Sequence, residues 1–434
     1  MDKMADVLGR AGAWCGQNKY LSAIKNAFQN FMPLTIAGAI GVLWCNVLVN
    51  ESTGLGIFFK PIMALEFLNP AFQAVNFCTI SCITVGITLG IAQEIGVWNM
   101  GAEKAGYIPG LVGLAAWLSV TNTSHMVEGA KEAFTGIAGN ELGATGLFTG
   151  MIIGVLSVEL FCFFEKQDAL KIKMPEQVPP GVARAFEVLV PATITLIITA
   201  CIGSACYNLT GLYLNDVIKN GIQGPLGAVG ATIPGVMIIY LVIMLFWLVG
   251  IHGNNMLSAV KEALFTPLAL ENVEAFNKGE TPKNIINMYA LQMWGEFGGS
   301  GVTIGLVIAI MIFGKREDNK AIASLSLVPG LFNINETVTF GIPMVLNPIL
   351  GIPFVFAPLV TIIIGYVLTV IGFCPVACLT VPWTTPPIVF GFLACGANVM
   401  GAVTQAILIV VSTVIYVPFL IAYEKYQNKQ AAEA

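Results

Sequence analysis

Seven stretches of this chain contain no Asp, Glu, Lys, Arg or His: residues 27–49, 72–92, 105–123, 142–158, 188–214, 220–251 and 297–314. Each is near or beyond the ~20 residues that carry an α-helix across a bilayer. The apolar positions run continuously, without the polar alternation in ~10-residue strands that marks a membrane β-barrel. Polar positions gather in the connections. Lys166, Lys171, Lys173 and Arg184 form the richest basic cluster, and Lys315-Arg-Glu-Asp-Asn-Lys320 the second. Such clusters mark cytoplasmic loops. With the N-terminus inside, four runs bring the first cluster to the cytoplasm; 188–214 then leads out and 220–251 returns. Placing 315–320 inside needs two more crossings, of which 297–314 is one. The segment 252–296, with Lys261, Glu262, Pro267 and Pro282, must supply an unconventional one. Two further spans, within about 344–374 and 397–422, bring the chain back near Glu424-Lys425. The pattern predicts an all-α polytopic membrane protein of about ten transmembrane helices, both termini cytoplasmic.

Composition agrees and removes other classes. Of 434 residues 56% are hydrophobic and only 10% charged, where soluble domains carry about 25% charged residues; mean hydropathy is +0.81. The net charge of −5 offers no basic surface for nucleic acid. The first twenty residues are mixed and charged, so no cleavable signal peptide is expected. The ten cysteines sit mostly in apolar runs and read as small buried hydrophobes. Cys78/Cys82 and Cys374/Cys378, four apart, are each expected to share a helix face. No metal site or cofactor is expected.

Two apolar stretches are too broken for simple spans. Residues 321–343 contain Pro329-Gly330, Asn333, Asn335, Glu336, Gly341 and Pro343; residues 373–396 contain Pro375, Pro382, Pro386, Pro387 and Gly391. Freed backbone groups are tolerated at membrane depth only when buried in protein or lining a cavity, and broken helices are where transporters place substrate. A re-entrant hairpin is expected at 321–343. Glu336 is the single charged side chain between Lys320 and Glu424, and an isolated carboxylate there marks a functional site. His252 ends the run 220–251, followed by Asn254 and Asn255. A further break holds Trp294, Glu296 and Ser300; the last candidates are Trp383 and Thr384. Carboxylate, imidazole, amides, hydroxyls and tryptophans together suit a sugar, whose hydroxyls pair with the polar groups and whose C–H faces pack on rings. The plain alternatives are a His252 satisfied by a carbonyl, and Trp247 and Trp294 as interfacial anchors. Glu94, Glu159 and His125 read as loop or span-end residues. An intramembrane protease is disfavoured, since His-Glu-x-x-His is absent.

Five segments carry a resemblance: Gly250-Ile-His-Gly-Asn254, Gly298-Gly-Ser-Gly-Val-Thr-Ile-Gly305, Gly330-Leu-Phe-Asn-Ile-Asn-Glu336, Gly341-Ile-Pro-Met-Val-Leu-Asn-Pro348 and Val381-Pro-Trp-Thr-Thr-Pro-Pro387. In this order they resemble the membrane-spanning C component of bacterial phosphoenolpyruvate-dependent sugar phosphotransferase systems, in the lactose/cellobiose/N,N'-diacetylchitobiose branch. One departure is visible: Thr337 follows Glu336 where the family pattern has proline. The resemblance implies the glucose-superfamily C-component fold with two re-entrant hairpins. It implies a homodimer with an N-terminal dimer-forming half (1–185) and a C-terminal sugar-binding half (186–434). Glu336 and His252 are implied to hold the hydroxyl that receives phosphate, with Asn254, Asn255, Trp294, Glu296, Asn333, Asn335, Trp383 and Thr384 as sugar-binding candidates. The phosphoryl donor is implied to be a phosphocysteine on a separate cytosolic B component, since no polar α/β stretch of adequate length is present here. The expected substrate is a β-linked disaccharide, N,N'-diacetylchitobiose first and cellobiose second. The alternative is a proton-coupled secondary sugar transporter with Glu336 as its coupling carboxylate.

Overall fold

The computed structural model describes residues 2–51, 56, 59–125, 134–175 and 177–433. The apolar runs are helices, as backbone satisfaction in lipid demands. Among the described residues five helices are long and apolar enough to cross a bilayer: Lys19–Leu48, Ala144–Glu165, Pro180–Thr210, Gly351–Val370 and Val399–Glu433. The number reaches seven if each of two bent helix pairs is one span, and two shorter apolar helices, Ile108–Val120 and Ile233–Leu248, accompany them. The segment from which an unconventional crossing was expected contains the helix Ser258–Asn277, with Pro267 inside it. Among the described residues strand is confined to Ser124–His125 paired antiparallel with Phe134–Thr135.

The chain forms two compact units. One comprises residues 17–38 and 75–227. Its helices approach closely because small residues meet at their crossings, the packing device of membrane helices. A Cβ on Gly113 would lie 2.3 Å from the Ala92 Cβ, and one on Gly150 2.2 Å from the Thr88 hydroxyl. Glu94 and Glu159 stand inside the helices Ile83–Met100 and Ala144–Glu165, rather than at the loop or span-end positions expected for them. Each has a partner: Asn26 donates to Glu94 at 2.9 Å, and Lys19 pairs with Glu159 at 2.5 Å. Buried Glu165 binds Lys104 at 2.8 Å and Arg184 at 3.0 Å, neutralising the end of its helix.

The other unit comprises residues 1–16, 39–74 and 228–434 and contains every candidate site residue. Its apolar core is centred on Tyr240, Trp247, Trp294, Phe354 and Tyr416. The helix Met288–Gly295 and the helix Ile304–Phe313 are separated by a 59° bend. Gly298, Gly299 and Gly301 turn the chain there with φ of +68°, +87° and +79°, a region L-residues avoid. Residues 317–341 are a helix–turn–helix: arms Glu317–Leu331 and Glu336–Gly341 around Asn333, whose φ is +63°. This is the hairpin the breaks predicted. The start of its long arm is tied to the C-terminal helix by buried Glu424, which accepts from the Lys315 N–H at 2.9 Å and the Asn319 amide at 3.2 Å. Beyond Val370 the chain is irregular until Val389. Cys374 and Cys378 therefore share no helix face; Cys374 instead meets Cys395, sulfur to sulfur at 3.9 Å. The prolines of 375–387 explain this, since each removes a helix donor.

Candidate functional site

His252 is placed by an elbow. The helix Ile233–Leu248 ends, Gly250 takes φ +83°, and His252 becomes the N-cap of the short helix Gly253–Met256. Gly253 has to be small, for a Cβ there would stand 2.0 Å from the Ile243 carbonyl oxygen. The His252 Nδ1 accepts the Asn255 backbone N–H at 3.2 Å. That bond fixes the neutral tautomer, leaving the proton on Nε2. Trp247 covers the imidazole with ring centroids 4.3 Å apart, and is itself braced edge-on by Phe354. Trp247 is thus a buried wall of the elbow, not an interfacial anchor.

Glu336 opens the short arm of the hairpin, its Oε1 lying 4.0 Å from the His252 Nε2. Both side chains keep a large open surface, 40% for His252 and 49% for Glu336, so the pair faces outward and can take a ligand. Thr337 sits at the second position of that arm, where a backbone N–H lacks a helical partner anyway. Replacing the family's proline there leaves the arm intact.

The amides divide into two groups. Asn333 is spent on the scaffold: its Oδ1 accepts the Gly298 N–H at 2.6 Å, and its Nδ2 donates to the carbonyls of Trp383 and Thr385 at 2.5 and 3.2 Å. Buried Asn335 likewise donates to the Ser300 carbonyl at 2.8 Å. Together they lace the glycine break, the hairpin turn and the 381–387 loop into one frame. Asn254 donates to the Ser300 hydroxyl at 3.2 Å, while its buried Oδ1 has no hydrogen-bond partner among the described residues. Asn255 is exposed, Trp383 is 44% exposed and Thr384 half-buried. Trp294 is placed apart from these groups, in the core against Gly365.

One cation of this site was missed as a site residue. Lys261, 7% exposed, forms an ion pair with Glu296, and Tyr240 donates to the same Glu296 oxygen at 2.8 Å. Its signal was in the sequence: a lysine within a segment that must cross the membrane requires an anionic partner. Which partner was not legible.

With this geometry in hand, comparison with known proteins is decisive. Residues 25–358 match the family model described as Phosphotransferase system, EIIC. The chain belongs to this EIIC family. It is 33% identical over 429 residues to the PTS system oligo-beta-mannoside-specific EIIC component of Bacillus subtilis (strain 168), covering 98% of this chain and 94% of the relative. It is 30% identical to the PTS system cellobiose-specific EIIC component of Lactococcus lactis subsp. lactis (strain IL1403), covering 98% of each. The crystal structure of the transporter ChbC, the IIC component from the N,N'-diacetylchitobiose-specific phosphotransferase system, superposes with a TM-score of 0.88 at 29% identity, covering 97% of both chains. This EIIC chain is a multi-pass membrane permease of a sugar phosphotransferase system.

The elbow yields a direct expectation. His252→Ala removes the Nε2–H and bares the Trp247 face, so sugar binding should weaken by about 1–3 kcal/mol, the scale of a hydrogen bond lost in a desolvated site. Isothermal calorimetry of purified protein measures it; an unchanged affinity assigns His252 to structure alone.

Proposed function

We propose that this EIIC chain binds a β-linked disaccharide at the His252–Glu336 pair, carries it across the bacterial cell membrane and presents one hydroxyl for phosphorylation. The observation that carries the reading is the open 4.0 Å gap between the His252 Nε2 and the Glu336 Oε1. A hydroxyl oxygen about 2.8 Å from each atom fits on the bisector of that gap at hydrogen-bonding distance from both. It would donate to Glu336 and accept from the Nε2–H. When the hydroxyl oxygen attacks phosphorus, the O–P bond forms, Glu336 takes the proton, and the bond from phosphorus to the B component's cysteine sulfur breaks with the electron pair on sulfur. General-base help of this kind contributes about 10²–10⁴-fold.

Trp383, exposed beside the frame, supplies a ring for a flat β-linked sugar, with Thr384 next to it. The free Oδ1 of Asn254 offers an acceptor to a hydroxyl or an N-acetyl N–H. Asn333, Asn335 and Trp294 act in this reading by shaping the site. The role-based halves, 1–185 for dimer contact and 186–434 for sugar, belong to the same proposal, as do the homodimer, the cytosolic B component and cytoplasmic termini.

N,N'-diacetylchitobiose is placed first and cellobiose second, because the named relatives with those specificities align across nearly all of this chain. Equilibrium binding of chitobiose, cellobiose and lactose side by side tests the order. Lactose binding tenfold tighter than diacetylchitobiose, a gap of about 1.4 kcal/mol, would overturn it. The transport mode has its own test. Vesicles given the B component and phosphoenolpyruvate-driven phosphorylation should accumulate sugar phosphate; accumulation of free sugar in proportion to a proton gradient would make Glu336 the coupling group of a secondary carrier.

A further inference from the structure

Ile388 closes the loop that carries Trp383 and Thr384, in a conformation that isoleucine avoids. Its φ and ψ are +76° and −52°, the strained form of the γ-turn, and no other described non-glycine residue has so positive a φ. The branched Cβ makes that region still less favourable. Strain of this kind persists only where the surroundings over-determine it, and it gathers at ligand clamps and switch regions.

Gln405 supplies the hold. It stands on the C-terminal helix Val399–Glu433 and is 1% exposed. Its Oε1 accepts two backbone N–H groups of the neighbouring segment, Ile388 at 2.7 Å and Gly391 at 2.8 Å. Its Nε2 donates to the carbonyl of Met293, the residue before Trp294, at 3.2 Å. The amide thus caps the helix Val389–Ala394 from another helix, a task that falls more often to a side chain of the same segment. Glycine permits this approach: a Cβ on Gly391 would lie 2.9 Å from the Gln405 Oε1 and 2.5 Å from the Gly401 carbonyl oxygen. Earlier in the loop, Asn333 holds the carbonyls of Trp383 and Thr385. The Trp383 ring itself is 44% exposed, so the backbone that carries it does most to fix where it stands.

We propose that Gln405 is a positioning residue for sugar binding: by holding Ile388 in its strained turn it keeps the 381–388 loop in place and presents the Trp383 ring to the disaccharide. The inference rests on the sugar-site reading above, in which Trp383 packs on a sugar ring, and adds the side chain that aims it. Without the Gln405 acceptor two backbone N–H groups lose their partner, and the relaxed, negative-φ state of Ile388 becomes the favoured one. The loop then moves, and the ring with it. The His252–Glu336 pair keeps its own supports, the elbow and the bond from Gly298 to Asn333. Affinity should therefore suffer and the chemical step should not.

The experiment compares wild type, Gln405→Met, Gln405→Glu, Trp383→Ala and the double variant Trp383→Ala/Gln405→Met. Equilibrium binding of labelled cellobiose is measured on the purified full chain in detergent. Its phosphorylation is measured in vesicles supplied with the partner proteins. Gln405→Met keeps the length of the side chain and removes both polar atoms. It should raise Kd and KM roughly tenfold with kcat nearly unchanged, a size within the range of couplings between interacting residues. Gln405→Glu keeps an acceptor oxygen for the two N–H groups and should recover most of the affinity. In the Trp383→Ala background, Gln405→Met should weaken binding no further, because its effect passes through the ring. Misfolding of part of the protein lowers the apparent kcat and leaves KM alone, so the split separates structure from positioning. A fall in kcat at unchanged KM overturns the proposal. So does a double variant whose two effects multiply, or a Gln405→Glu variant as weak as Gln405→Met. If Trp383→Ala binds cellobiose and diacetylchitobiose as wild type does, Trp383 leaves the sugar site, and it is the underlying reading that fails.

Discussion

Glu336→Gln should leave the fold intact and abolish sugar phosphorylation. The substitution keeps volume and shape, and its carboxylate makes no contact on which the hairpin depends: the arm is held by Asn333, Asn335 and Glu424. What disappears is the carboxylate at the His252 gap that, in this proposal, accepts the hydroxyl proton during attack on phosphorus. A rate loss of about 10²-fold or more is expected, the usual worth of a positioned base. The measurement is phosphorylation of labelled disaccharide in vesicles supplied with the partner proteins, with binding measured in parallel. Binding should fall far less, since an amide still accepts a hydrogen bond at that position. Phosphorylation at a near-normal rate would remove Glu336 from the chemistry.

Gly298→Ala should be among the most damaging changes of one methyl group in the chain. At φ +68° the residue already occupies backbone space that alanine avoids. The added Cβ would lie 2.3 Å from the Ile304 Cβ and 2.6 Å from its backbone nitrogen, at the start of the next helix. Backbone cannot swing aside as a flexible side chain can. The Gly298 N–H is also the donor that anchors Asn333, so relief of the clash pulls on the hairpin that carries Glu336. A loss of about 2–4 kcal/mol, combining left-handed strain with overpacking, is expected. Thermal unfolding in detergent together with sugar binding checks it. Gly279→Ala is the control: its φ is also positive, at +72°, yet a Cβ there meets nothing within 4 Å. If both variants unfold alike, strain alone accounts for the effect and the close packing at 298 is dispensable.

Much of this architecture was legible before any coordinates. The transfer free energy of apolar side chains is local and adds along the chain, so the charge-free runs, Ile233–Leu248 and Gly351–Val370 among them, could be read as helices from sequence. The same logic exposed Glu336, because a lone carboxylate between Lys320 and Glu424 has no neighbour in sequence to neutralise it. The glycines and prolines of 298–301 and 329–343 announced their breaks, since φ and missing donors are properties of single residues.

Pairing was a different matter. Nothing local said that Asn333 would spend both ends of its amide on the Gly298 N–H and the Trp383 carbonyl, or that of two site-adjacent tryptophans Trp247 would cover His252 while Trp294 entered the core against Gly365. Cys374 and Cys378 looked like neighbours on a helix until the prolines after Val370 broke it and brought Cys374 to Cys395. Lys261 and Glu296 were both visible in the sequence, yet only the packing of the helix Ser258–Asn277 beside the glycine break made them partners. Sequence determined which segments are apolar enough to enter the membrane and where a charge stands isolated among them, because those costs are set residue by residue. Tertiary structure decided which polar atoms satisfy one another and which stay free for a ligand. A hydrogen bond is made between two particular atoms at about 2.8 Å, and the chain folds those atoms together from segments far apart in sequence.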